Sequence, residues 1–141
     1  VIAGAPQTHI NALQKYGDSL GVAFQIVDDL LDVIGDSNKT GKNVGDDFRE
    51  RKLTLPFIKA IMKATDTERA FWLRTIEKGD QKDCDLEIAL ELINSHGAIE
   101  ATRKDALNWV RQAQDALKEL PDHKIRDLLY DLSTYVIERL N

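Results

Sequence analysis

Apolar residues recur early in the chain at Ile10, Leu13, Leu20, Phe24, Val27, Leu31 and Ile34, at intervals of three, four and seven. That is the stripe of an amphipathic helix, and it predicts one helix from about Pro6 to Ile34. Pro6 suits the first turn, where its missing N–H costs nothing. Ala12, Gly21 and Ala23 are small and let a neighbouring helix come close. Gly17 and Gly21 each weaken the helix by roughly 1 kcal/mol, so tertiary packing has to hold it. Gly35 ends it. From Asp36 to Lys52 the text becomes DSNKTGKNVGDDFRERK, almost without apolar residues, and it predicts a long loop that is poorly ordered without ligand. Helical patterning resumes from Leu53 to Lys63, with Pro56 near the start. It continues from Thr67 to Lys78, capped by Thr65 or Asp66 and ended by Gly79, and then from Asp83 to His96. A long amphipathic helix from Ala98 to Leu120 carries Ile99, Ala106, Trp109, Val110, Ala113 and Leu117 on one side, and Pro121 stops it. The last helix, Asp122 to Leu140, has Ile125, Leu128, Leu129, Leu132, Tyr135, Val136 and Leu140 on the expected inner face. No strand pattern and no repeat stands out. The predicted fold is all-α, an antiparallel helical bundle with short connections.

Composition narrows this picture. The chain has 141 residues, enough to bury a core, and a net charge of −5 with both signs well mixed. A nucleic-acid partner would call for a basic stripe, and none is present. No apolar run approaches the length of a membrane span, and the first ten residues lack the basic start of a signal peptide. With a single cysteine, Cys84, a disulfide scaffold is excluded, and the reducing cytoplasm is the expected compartment. Cys84 has no neighbouring His or second Cys to make it a catalytic thiol. His9, His96 and His123 lack metal-ligand spacing, and Trp72 and Trp109 sit on helical stripes as core or interface residues.

The anomaly is FQIVDDLLD, residues 24–32. Asp28, Asp29 and Asp32 crowd one end of one helical face, where like charges repel and the late helix dipole disfavours anions. A divalent cation would relieve the repulsion. Carboxylate oxygens suit Mg²⁺, which takes one or two of them and completes its octahedron with water and phosphate. A solvated acidic face is the plainer reading of such a short motif alone. The following segment shifts the balance, because it adds Lys39, Lys42, Arg49, Arg51 and Lys52 together with glycines that let backbone close over a ligand. Metal-holding carboxylates beside lysines make a diphosphate site.

The run from Gly21 to Pro56, GVAFQIVDDLLDVIGDSNKTGKNVGDDFRERKLTLP, resembles the second conserved region of trans-isoprenyl diphosphate synthases. It carries the F-Q before D-D-x-x-D, the G-D after it, the G-K, the G-x-D and the closing K-L-T-L-P. The L-T-L-P form is similar to medium- and long-chain members such as octaprenyl and solanesyl diphosphate synthases. The resemblance implies the isoprenoid synthase type of helical bundle. It also implies a Mg²⁺-dependent transfer in which an allylic diphosphate ionises and is attacked by isopentenyl diphosphate. It assigns Asp28, Asp29 and Asp32 to metal, Asp28 being a direct ligand. Lys42 and Lys52 fall to the allylic diphosphate, Gln25 to the hydrogen-bonded shell, Phe24 to the reacting carbons, and Asp46, as the acid of G-x-D, to the metal waters. Arg139 near the C-terminus is a weaker candidate for a diphosphate contact. Arg51 departs from the pattern, since many members carry Gly there. The first D-D-x-x-D of the family is absent.

Residues 1–141 are therefore expected to be the C-terminal part of a single polyprenyl synthase domain. The parent would be a cytoplasmic homodimer making a quinone side-chain precursor, and the isolated segment would be inactive. Two other readings compete. A terpene synthase would carry an N-S-E-type second motif in place of D-D-x-x-D. A non-catalytic subunit of a heteromeric prenyl synthase would not need intact metal ligands and lysines.

Overall fold

The computed structural model describes residues 4–35 and 44–140. Among them every regular element is helical, as the periodicity predicts. The elements are α1 (Gln7–Ile34), α2 (Asp46–Arg49), α3 (Leu55–Met62) and α4 (Asp66–Trp72), which runs on into a π-helical turn, Leu73–Glu77. They continue with α5 (Asp85–Ser95), α6 (Ala98–Ala116), a 3₁₀ turn at Leu117–Glu119, and α7 (Lys124–Glu138). The chain divides into two compact units. Residues up to Val27 and from Lys104 onward form one, and Asp28–Arg103 the other.

The first unit closes on a seam of small and polar residues. On α1 the buried positions are Ala12, Tyr16, Ser19, Ala23, Ile26 and Val27, at helical spacing. Tyr16 packs with Ala113, Ala116 and Leu117, flanked by Leu20, Leu120 and Leu129. Its hydroxyl donates to the Leu129 carbonyl at 2.7 Å, so the phenol is buried with its polar end satisfied. Gln114 donates to Ser133 Oγ at 3.0 Å and to Thr134 Oγ1 at 3.3 Å. This corrects the predicted stripes. Leu13 is 46% and Phe24 49% exposed, and on α7 Ile125, Leu128, Leu132 and Tyr135 are exposed at 48–62%. Only Val136 and Leu140 of the predicted α7 face are fully buried. Alanine and serine let backbones close to a tight seam, and the larger apolar side chains on the neighbouring positions are left outside it.

The second unit is organised around aromatic rings. Phe48, Phe57 and Trp72 are all buried. Phe48 lies 6.2 Å from Phe57, which meets Trp72 edge-on at 5.9 Å. Helix α4 starts with a capping box between Thr65 and Glu68. Glu68 also accepts a contact from His96 at 2.9 Å, and Lys63 donates to the His96 carbonyl. From within the π turn, Arg74 grips the buried Asp85 through both guanidinium nitrogens at 2.7 and 2.8 Å. That fork holds the Asp85 carboxyl down at about 2. Gln81 donates to the carbonyls of Phe48 and Thr75 at 2.8 and 3.2 Å and so ties this connection to α2.

The predicted loop Asp36–Lys52 needs correction over its second part. Residues 36–43 lie outside the described residues. From Val44 onward the chain is built, with a one-turn helix on a single apolar anchor, Phe48, which is 2% exposed. One buried ring and a closed set of backbone hydrogen bonds order a segment whose composition reads as solvent-exposed.

Candidate functional site

The site residues of the second unit gather where α1 ends. Asp29 and Asp32 are buried and Asp28 is half-buried on the last turns of α1. The α2 segment hangs from Asp32 in two ways. Gly45 N–H donates to the Asp32 carbonyl at 2.9 Å. Asp47 N–H lies 3.3 and 3.4 Å from the two oxygens of the Asp32 carboxylate. Glycine is required at 45 for two reasons. Its φ is 83°, the left-handed region, and a Cβ there would collide with the Leu86 side chain.

Helix α2 then ends in a tight reversal. Lys52 N–H donates to the Asp47 carbonyl at 2.8 Å and Arg51 N–H to the Phe48 carbonyl at 3.0 Å. This pair of bonds is the Schellman closure of a helix end. It needs a left-handed residue at Arg51, whose φ is 59°. Arginine therefore occupies a left-handed backbone position of the kind that favours glycine. The reversal brings the Lys52 side chain back over the turn. Its ammonium sits 2.7 Å from Glu50 and 3.2 Å from Asp47. Those two carboxylates, Glu50 foremost, hold its pKa above the ordinary lysine range.

The electrostatics of Asp32 describe what the site lacks. Burial pushes its carboxyl up to about 6, and the neighbouring Asp47 carboxylate adds to that, with a smaller push from Asp46. Hydrogen bonds from the backbone N–H groups of Asp47 and Asp46 pull the other way without compensating. Among the described residues Asp32 is a buried carboxylate beside other carboxylates, and a hard divalent cation fits such a donor set. Among the described residues no three His, Cys, Asp or Glu side chains converge into a metal cage.

The other sequence-predicted residues stand as follows. Lys42 lies outside the described residues. Phe24 and Gln25 are exposed on α1 within the first unit. There Arg139 stacks on the Phe24 ring at 5.1 Å, and both line a groove of about 590 Å³ with Leu20, Leu132, Tyr135 and Val136. Asp46, expected at the metal waters, pairs its carboxylate with Arg49 at 3.0 Å. Asp47 is the residue that touches both Asp32 and Lys52. Counting G-x-D from Gly45 reaches Asp47, so the signal was available. Glu50 had none, because its contact depends on the reversal at Arg51.

With that geometry in view, the comparisons with known proteins fall in one family. The polyprenyl synthetase model matches residues 1–93. The chain is 41% identical to the octaprenyl diphosphate synthase of Escherichia coli over 99% of its own length and 43% of that protein's. It superposes on the crystal structure of a decaprenyl diphosphate synthase from Rhodobacter capsulatus with a TM-score of 0.92 at 58% identity, covering 99% of this chain and 43% of that one. A polyprenyl synthase from Caulobacter crescentus, solved in complex with calcium and isoprenyl diphosphate, matches with a TM-score of 0.88 at 40% identity, over 96% of this chain and 41% of that one. The chain thus spans about two fifths of the length of the relatives it matches.

Proposed function

The chain belongs to the polyprenyl synthetase family, and on that premise we propose that it is the C-terminal part of a trans-polyprenyl diphosphate synthase. Such an enzyme elongates an allylic diphosphate with isopentenyl diphosphate, and the quinone side-chain precursors are its product class. The observation that carries the reading is the juxtaposition of a buried carboxylate, Asp32, and an ammonium, Lys52, through the single residue Asp47.

In this reading Asp28, Asp29 and Asp32 would hold magnesium, which would supply Lewis-acid stabilisation of charge on the departing diphosphate. Lys52 would contact the same diphosphate, and Lys42 is assigned the same duty. The allylic C–O bond breaks with its electron pair leaving on the diphosphate. The isopentenyl double bond then attacks the allylic carbon, and a proton is lost. Preorganised charge at the leaving group, from the lysines and from metal held by the aspartates, is the chain's share of the work. The segment by itself is expected to be inactive. The homodimer, the cytoplasmic location and the diphosphate substrates belong to the same proposal.

The test joins this chain to the remaining portion of the E. coli octaprenyl diphosphate synthase and assays the hybrid with labelled isopentenyl diphosphate, farnesyl diphosphate and Mg²⁺. The hybrid should elongate, and its Asp28→Ala variant should lose about two to three orders of magnitude in turnover. Magnesium pyrophosphate should also bind the 141-residue chain directly in calorimetry. Elongation by the purified chain alone, or full turnover in the Asp28→Ala hybrid, would overturn the proposal.

A further inference from the structure

We infer that Asp47 is a positioning residue, which sets the Lys52 ammonium relative to the Asp32 carboxylate so that the two act on one diphosphate; this rests on the function proposed above. Three contacts of one residue carry it. Its N–H reaches the Asp32 carboxylate, its carbonyl accepts from Lys52 N–H, and its carboxylate accepts from Lys52 Nζ at 3.2 Å. The metal arm and the lysine arm therefore share one rigid turn. That turn is closed at one end by Gly45 on the Asp32 carbonyl and at the other by the reversal at Arg51. Phe48 fixes it in the core and Gln81 fixes its carbonyl.

Glu50 lies closer to the ammonium, at 2.7 Å against 3.2 Å, but enclosure favours Asp47 for this duty. The Asp47 side chain is 16% exposed and Glu50 59%. A well-enclosed partner on a short side chain restrains an ammonium, whereas an exposed partner on a long one moves with it. Lysine has three donors. With Asp47 and Glu50 occupying two of them, the third is left for an incoming phosphate oxygen. Without Asp47 the ammonium sits on a flexible four-carbon stem, and each binding event must fix it anew.

The experiment combines a ligand-free readout with a binding cycle. In nitrogen NMR of the 141-residue chain, the Lys52 ammonium should show restrained motion that Asp47→Ala abolishes and Glu50→Ala only reduces. Magnesium pyrophosphate binding is then measured for Asp47→Ala, Lys52→Ala and the double variant. Each single change should weaken binding about fivefold, the scale of a partly exposed charge-assisted hydrogen bond. The double variant should bind no worse than Lys52→Ala alone. Asp47→Asn, which keeps an acceptor at Oδ1, should recover part of the loss. An equally mobile Lys52 in the parent chain and in Asp47→Ala overturns the inference whatever binds. So do losses that simply multiply in the double variant, because Asp47 would then act without Lys52. Failure of the parent chain to bind magnesium pyrophosphate while its Lys52 is restrained removes the functional reading and the coupling to a diphosphate, and leaves only the clasp.

Discussion

The segment Val44–Lys52 and the helix Lys124–Glu138 each invert what their compositions predict. The first is polar and glycine-containing, yet it is a built turn with Phe48 buried, its helix end closed and both ends bonded. The second carries a regular apolar stripe, yet Ile125, Leu128, Leu132 and Tyr135 lie exposed and Val136 alone of the 124–138 stripe is fully buried. Order follows from satisfied backbone groups and a few enclosed side chains, and apolar content by itself does not produce it.

The sharpest way to break that comparison is at Phe48. Phe48→Ala removes the ring that meets Phe57 and lies in the same aromatic row as Trp72. A large-to-small change at such a buried position costs about 3–5 kcal/mol. Denaturant unfolding should show that loss. Hydrogen exchange at the amides of Arg51 and Lys52 should accelerate at denaturant concentrations below the main transition. Unchanged protection there would mean the turn is held by its hydrogen bonds alone, and that Phe48 is not its anchor.

How much could be read in advance follows the same division. The placement of Asp28, Asp29 and Asp32 together on the last turns of α1 was readable because their spacing is local and a helix fixes what spacing means. The helices were readable for the same reason, with boundaries off by a residue or two, as at Asp66. The clasp on Lys52 was not, because it depends on a left-handed arginine, and the backbone statistics of L-residues argue against that conformation. Phe48 read as one apolar letter in a charged run, and nothing local says that it enters a core. On α1 the seam went to Ala12, Tyr16, Ser19 and Ala23, while Leu13 and Phe24, one position away, stayed outside. Periodicity finds faces, and it leaves open which of two faces the rest of the chain covers.

A second prediction probes the strained side of the built turn. The Asp32 carboxyl is raised to about 6 in the folded chain, chiefly by burial and then by Asp47, against an ordinary carboxylate value of about 4 when unfolded. Below the unfolded value both states are protonated and Asp32 costs nothing. As pH rises from about 4 to 6 the unfolded state ionises first, so folding loses stability, and the full penalty stands above about 6. Its size is about 1–3 kcal/mol. In metal-free buffer Asp32→Asn should therefore stabilise the chain at pH 7 by about that amount and make no difference near pH 3. Added Mg²⁺ should narrow the gap at pH 7 by stabilising the parent. Thermal melts across pH check this. A variant less stable than the parent at pH 7 would mean that the Asp47 N–H contact outweighs the repulsion.

The smallest effect on stability is expected where the apolar stripe is most conspicuous. Leu128 is 62% and Leu132 48% exposed on α7, so replacing them removes little buried surface. The double variant Leu128→Glu with Leu132→Lys sets an acid four residues before a base, the favourable order for a helix pair. Its folding free energy should stay within about 0.5 kcal/mol of the parent. Solution behaviour should change much more, because contiguous apolar patches drive association. Sedimentation velocity at rising concentration should show the parent chain associating and the double variant remaining monomeric. Val136 supplies the contrast on the same helix. It is 3% exposed, and Val136→Glu would bury an unpaired carboxylate in the seam, so that variant should fail to fold stably. If Leu128→Glu with Leu132→Lys unfolded the chain as Val136→Glu does, the α7 stripe would be core in solution, and the contrast between the two segments would disappear. If it stayed folded but associated as strongly as the parent, association would run through another surface, and the exposed face of α7 would not be what draws two copies together.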